Sequence, residues 1–186
     1  MHEANHVANN KPLEDMPGTI AMQAEVEVDR SCAEVFHFWR ALENFPKFMD
    51  HVKEVRAISD NRYHWRVSGP IGTEMTWDAD VSEVVANQRI SWRSVIGSTV
   101  DNSGSVEFLP LEGNRTCIRV SLSYTPPAGL LGHAVATLFG ANPRQQMLGD
   151  LERCRALLEH DGLKKDGKLV TESKVCRHED PSHTVH

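Results

Sequence analysis

A chain of 186 residues, 40% hydrophobic and 25% charged, has room for one folded domain with tails and is too apolar for wholesale disorder. Lys and Arg number 20 against 26 Asp and Glu, a formal charge of −6, which argues against nucleic acid as a partner. No apolar run approaches the ~20 residues of a membrane span, and the start of the chain lacks the charged and apolar regions of a secretory signal, so a cytoplasmic protein is expected.

Residues 1–18 are polar and aperiodic, with Pro12, Pro17 and Gly18, and read as a flexible arm. Folding begins with Ile20, Met22, Ala24, Val26 and Val28 alternating with Ala21, Gln23, Glu25 and Glu27, the pattern of a half-buried strand. Ser31-Cys-Ala-Glu34 is a capping-box signature and predicts a helix to about Leu42, its apolar face formed by Val35, Phe38, Trp39 and Leu42. A second short helix is expected over Glu43–Met49, with Pro46 in its first turn. Strand patterns with turn signals between them then run from Val52 to Tyr124, and Pro126-Pro127 closes them. Residues 129–141 are apolar nearly all round. Asn142 followed by Pro143 marks the start of a helix to about His160, with Met147, Leu151, Cys154 and Leu158 as its stripe. Residues 161–186 carry mixed charge and few apolar residues and read as a disordered tail. The folded unit is therefore expected over 19–160. Successive strands without helices between them imply an antiparallel sheet, and its single apolar face calls for a cover, which the last helix supplies.

The inward phase of the strands includes Tyr63, Trp65, Val67, Met75, Trp77, Ile90, Trp92, Val106, Phe108, Ile118, Val120, Leu122 and Tyr124, and no Asp, Glu, His, Lys or Arg. Trp65, Trp77 and Trp92 fall on three strands expected to be neighbours. A hollow lined this way accepts an apolar or aromatic ligand; the plainer outcome is a filled core. The outward phase carries Arg66, Asp78, Asp80, Arg89 and Arg93, expected as cross-strand pairs on a solvated face.

Cofactor and metal chemistry find no footing. The ten histidines form no HxxxH on a core helix; His2 and His6 lie in the arm, and His178, His183 and His186 in the tail. No phosphate-loop, dinucleotide or nucleophile-elbow motif occurs. The cysteines Cys32, Cys117, Cys154 and Cys176 form no CxxC pair and are expected as reduced thiols.

Four stretches carry a family resemblance: VDRSCAEVFHFWRALENFPKFMDHVKEV (28–55), TWDADVSEVVANQRISWRS (76–94), GSVEFLP (104–110) and YTPPAGLLGHAVATLFGANPRQQMLGDLERCRALLE (124–159). They resemble the helix-grip superfamily of START and Bet v 1-like proteins, and most nearly its polyketide cyclase/dehydrase-like and coenzyme-Q-binding START-type branch. The resemblance implies an α+β helix-grip fold: a curved seven-stranded antiparallel sheet around a long C-terminal helix, with two short helices after the first strand. It implies a ligand between sheet and helix. On that placement the ligand-facing set is Trp65, Trp77, Trp92, Phe108 and Tyr124 on the strands, Leu131, Val135 and Phe139 in the apolar segment, and Met147 on the last helix.

The leading expectation is a carrier or binding protein for a hydrophobic small molecule: a lipid, an isoprenoid quinone or a polyketide-like aromatic. The alternative is an aromatase/cyclase-type enzyme promoting aldol closure and dehydration, with Tyr124, Tyr63 and His133 as acid–base candidates. Segment 129–141 is expected to be a mobile gate or a site of transient contact with a membrane surface.

Overall fold

The computed structural model describes residues 19–68, 72–125 and 142–160. The expected arm 1–18, the apolar segment 129–141 with Leu131, His133, Val135 and Phe139, and the tail 161–186 lie outside the described residues.

Strand β1 (Ile20–Val28) is followed by helix α1 (Cys32–Arg40). The capping box is present in both directions. Ser31 Oγ accepts the Glu34 amide at 3.3 Å, and the Glu34 carboxylate accepts the Ser31 amide at 3.0 Å. The helix stops two residues earlier than the pattern suggests, because Ala41 leaves helical backbone at φ −85°, ψ 85°. The next element is the short helical segment expected over Glu43–Met49; it spans Leu42–Lys47 and is a 3-10 helix. Pro46 lies inside it, and a residue without an N–H suits a short, tight element better than a continuing α ladder.

Six strands complete the sheet: β2 (Val52–Ala57), β3 (Arg62–Ser68), β4 (Glu74–Val85), β5 (Arg89–Ser94), β6 (Asp101–Leu111) and β7 (Arg115–Thr125). Their spatial order is β1-β7-β6-β5-β4-β3-β2, every pairing antiparallel. The register shifts between Val52 and Glu54 and again between Val81 and Glu83, irregularities of the kind that bend a strand and tighten its twist. The curled sheet and helix α2 (Pro143–Glu159) make the helix-grip α+β fold. Asn142 caps α2 by accepting the Gln145 amide at 3.1 Å, with Pro143 at the first turn. The far end of α2 is tied to the exit of β1, where the Asp29 amide donates to Glu159 Oε1 at 2.9 Å.

The core runs from Val26 and Val28 through Val35, Trp39 and Phe48 to Val106, Ile118, Leu151 and Cys154. On the outward face charged side chains pair across strands, but not among Arg66, Asp78, Asp80, Arg89 and Arg93 themselves: Arg66 meets Glu54 and Glu74, and Arg89 meets Glu83. Arg62 grips both oxygens of Asp80 at 2.7 and 2.9 Å, His64 meets Asp78 at 2.7 Å, and Arg119 meets Glu25 at 2.6 Å. The more exposed of these, such as Arg62–Asp80, contribute about 1 kcal/mol at most. Cys32 and Cys154 are free thiols. Cys117 is disulfide-bonded, which departs from the expectation of four thiols.

Candidate ligand cavity

The concave face does not close completely. A cavity of about 110 Å³ remains between the sheet and α2. Strands β3, β4 and β5 supply Trp65, Trp77 and Trp92; β7 supplies Val120 and Leu122; and α2 presents Pro143, Gln146, Met147, Asp150 and Leu151. The α2 residues recur at three- and four-residue steps, so one helical face forms the roof.

Register places the indoles. Trp65 lies directly opposite Trp77 in the β3–β4 ladder, and Trp92 opposite Val81 and Gly104. The Trp65 and Trp77 rings are parallel within 2°, their centroids 6.1 Å apart, and Phe45 meets Trp65 edge-on at 5.4 Å. Trp39, from α1, lines the same space, braced edge-on by Phe45 at 5.2 Å. All four tryptophans of the chain therefore face one cavity.

The expected ligand-facing residues divide. Trp65, Trp77, Trp92 and Met147 line the cavity. Phe108 and Tyr124 share the inward phase but are not in the lining. Phe108 is packed edge-on against Phe36 at 5.8 Å, in the part of the core under α1, and Tyr124 is buried between Ile20 and Asn102. Burial raises the Tyr124 hydroxyl pKa above its usual value. Tyr63 is also buried away from the cavity, its hydroxyl accepting Arg40 Nη1 at 3.3 Å. Neither tyrosine is placed to exchange a proton with a molecule in the cavity.

One end of the cavity is polar, which the inward phase of the strands did not suggest. His51 precedes β2, and Gln146 and Asp150 come from α2. Gln146 Nε2 lies 2.9 Å from His51 Nδ1; with the amide N–H donating, that ring nitrogen is an acceptor and the proton of the neutral imidazole belongs on Nε2. Arg153 donates from Nη2 to Asp150 Oδ1 and from Nε to the Phe48 carbonyl at 2.8 Å, and lies 3.5 Å from Asp50. It thereby staples α2 to the segment leading into β2. Asp150 Oδ2 stands 3.8 Å from His51 Nδ1, beyond hydrogen-bond reach.

The two groups titrate in opposite directions for one reason. Desolvation pushes the Asp150 carboxyl up to about 7, against the pull of Arg153. Desolvation, reinforced by Arg153, holds His51 down to about 4. At neutral pH the imidazole is therefore uncharged, and the 3.8 Å contact is not an ion pair. Asn102, 6% exposed, adds an uncharged amide from β6. Two ligand-type side chains fall short of a metal centre, and among the described residues no group of three His, Cys, Asp or Glu gathers. Asp150 did leave a trace in the sequence: it stands three residues after Met147 and beside Leu151, a charge set into an apolar stripe.

Comparison with known proteins agrees with this architecture. Residues 28–152 match the family described as polyketide cyclase / dehydrase and lipid transport. An uncharacterized 17.2 kDa protein of Streptomyces lincolnensis is 27% identical over 146 residues, covering 78% of this chain and 94% of that one. A solved Deinococcus radiodurans protein is 29% identical with a TM-score of 0.62, covering 75% of this chain and 97% of its own. A START superfamily protein of Mycobacterium smegmatis shares the fold at 17% identity and a TM-score of 0.61, covering 74% and 98%.

Proposed function

Since the chain belongs to the polyketide cyclase / dehydrase and lipid transport family, we propose that it binds a small hydrophobic molecule with an aromatic ring in the cavity beneath α2. The observation that carries this reading is the convergence of all four tryptophans on one unfilled space. A filled core would leave no such void, since interiors pack as densely as organic crystals. At about 110 Å³ the space is on the scale of a single ring; an engineered apolar cavity of about 150 Å³ holds benzene. A quinone head group or a single phenolic ring is of that size, and a long acyl chain is not.

Native mass spectrometry of the protein as purified, followed by extraction and identification of any bound molecule, tests the proposal. A ring-bearing apolar compound at one per chain supports it. An extended saturated lipid bound at that ratio counts against it.

One observation favours a second, enzymatic reading. Asp150, buried and held near neutrality beside an uncharged imidazole, has the properties of a general base for a proton next to a carbonyl. That is the proton removed in aldol closure. Turnover of a model poly-ketone that is lost on Asp150→Asn with binding retained would support an enzyme.

A further inference from the structure

Resting on the binding reading above, we infer that the cavity selects a ring-bound hydroxyl: the ring lies against the tryptophans, and its O–H donates to Asp150 Oδ2.

The Asp150 carboxyl has an incomplete set of hydrogen bonds. The residue is 3% exposed and lines the cavity. Oδ1 takes the Arg153 guanidinium, and Oδ2 has no hydrogen bond among the described residues. His51 cannot supply one from Nδ1, because that nitrogen already accepts from Gln146 and lies 3.8 Å away. Buried carboxylate oxygens are ordinarily satisfied, and one that is not stabilises whatever brings a donor. The lining carries other N–H groups, on the indoles of Trp65, Trp77 and Trp92 and on the amides of Asn102 and Gln146, but among the described residues none of them is hydrogen-bonded to Oδ2. A ligand hydroxyl is the complement. A cation is a poorer one, because Arg153 already holds the carboxylate and most of the lining is apolar. The lining thus sets aromatic faces beside a carboxylate oxygen that has room for a donor, which suits a phenol.

Protonation gives the inference a signature. Among the described residues the charged and titratable groups around Asp150 are Arg153 on its own helix and Asp50 and His51 on the segment before β2; Gln146 and Asn102 are uncharged. The Asp150 carboxyl changes charge near pH 7, whereas His51 stays neutral there. An ionised carboxylate is the stronger acceptor, so phenol affinity rises as pH increases from about 6 to 8, a range in which a phenol with a pKa of about 10 keeps its proton.

The experiment compares p-cresol with its isostere p-xylene on the full chain, as wild type, Asp150→Asn and Asp150→Leu, with dissociation constants from ligand-observed NMR. Far-UV circular dichroism and retained p-xylene binding establish that the variants fold. The expected result is a p-cresol to p-xylene affinity ratio about tenfold lower in Asp150→Leu than in wild type, and p-cresol affinity that rises with pH in wild type only. An unchanged ratio, or a flat pH profile in wild type, overturns the inference while leaving a p-xylene-binding cavity intact. Binding of neither probe overturns both the inference and the reading beneath it.

Discussion

The Trp92 indole lies across Gly104 of the neighbouring strand, on a position where no side chain fits. A Cβ on residue 104 would stand 2.4 Å from Trp92 Cζ2 and 2.6 Å from the Ser121 carbonyl oxygen. One of the two obstacles is backbone and cannot rotate away. Gly→Ala in a strand ordinarily gains up to about 1 kcal/mol through the unfolded chain, but overpacking costs about 1–3 kcal/mol. Gly104→Ala is therefore expected to destabilise the protein in urea unfolding and to shift tryptophan emission as Trp92 is pushed from its seat. Neutral or increased stability would show that the indole has room to move.

Leu122 lines the cavity from β7, opposite Met22 of β1 and beside Gly104 of β6. Leu122→Phe places extra carbon in the void without introducing a polar atom. Ligand affinity should fall about tenfold or more, while the melting temperature holds or rises, because a void is being filled rather than a packed core strained. Calorimetric titration alongside thermal unfolding separates the two effects.

Stability should respond to pH through Asp150 and His51 in opposite directions. The carboxyl titrates at about 7 when folded and at 3.8 ordinarily, so between those values the folded state holds a proton that the unfolded state has lost. That contribution is fully present below about pH 4 and is lost as pH rises through about 7. Asp150→Asn should therefore gain on wild type as pH increases from about 4 to 8, by up to a few kcal/mol. His51 titrates at about 4 when folded against 6.5, so the unfolded state takes up the proton first. Wild type loses that contribution as pH falls from 6.5 to about 4, and His51→Gln should flatten the acid limb. Urea midpoints at about pH 4, 6 and 8 check both signs.

Arg153 joins α2 to the segment before β2 through Phe48 and Asp150. Arg153→Met leaves the Phe48 carbonyl and the Asp150 carboxyl without that donor, at a cost of about 1–3 kcal/mol. It should also raise the Asp150 pKa further, since the guanidinium is the group holding it down. A pH profile of phenol affinity displaced to higher pH in this variant would report that change.

The legible parts of the fold were those where a local pattern decides the structure. Ser31 and Glu34 specify a helix start from four residues. Asn142-Pro143 specifies another, and strict alternation around Trp65, Trp77 and Trp92 set their phase. The opening of β6 was hidden, because Asp101, Asn102, Ser103 and Gly104 are weak strand formers held there by pairing with β5 and β7. Gly104 in particular is explained only by the Trp92 ring above it. Trp39 could be assigned to an apolar helix face but not to the cavity, because its neighbours come from distant strands. The polar end was missed for the same reason: His51 and Asp150 are 99 positions apart in the sequence, and only the packing of α2 against the segment before β2 brings them within 3.8 Å.

Because every tryptophan of the chain lines the cavity, emission is a reporter of the cavity alone. Ligand binding there is tested most directly by a fluorescence titration with 4-nitrotoluene, a ring-sized quencher, with p-xylene as competitor. A binding cavity gives saturable quenching of most of the emission, its reversal by p-xylene, and weakening of both effects in Leu122→Phe. Quenching that stays linear in concentration and does not respond to p-xylene would contradict it.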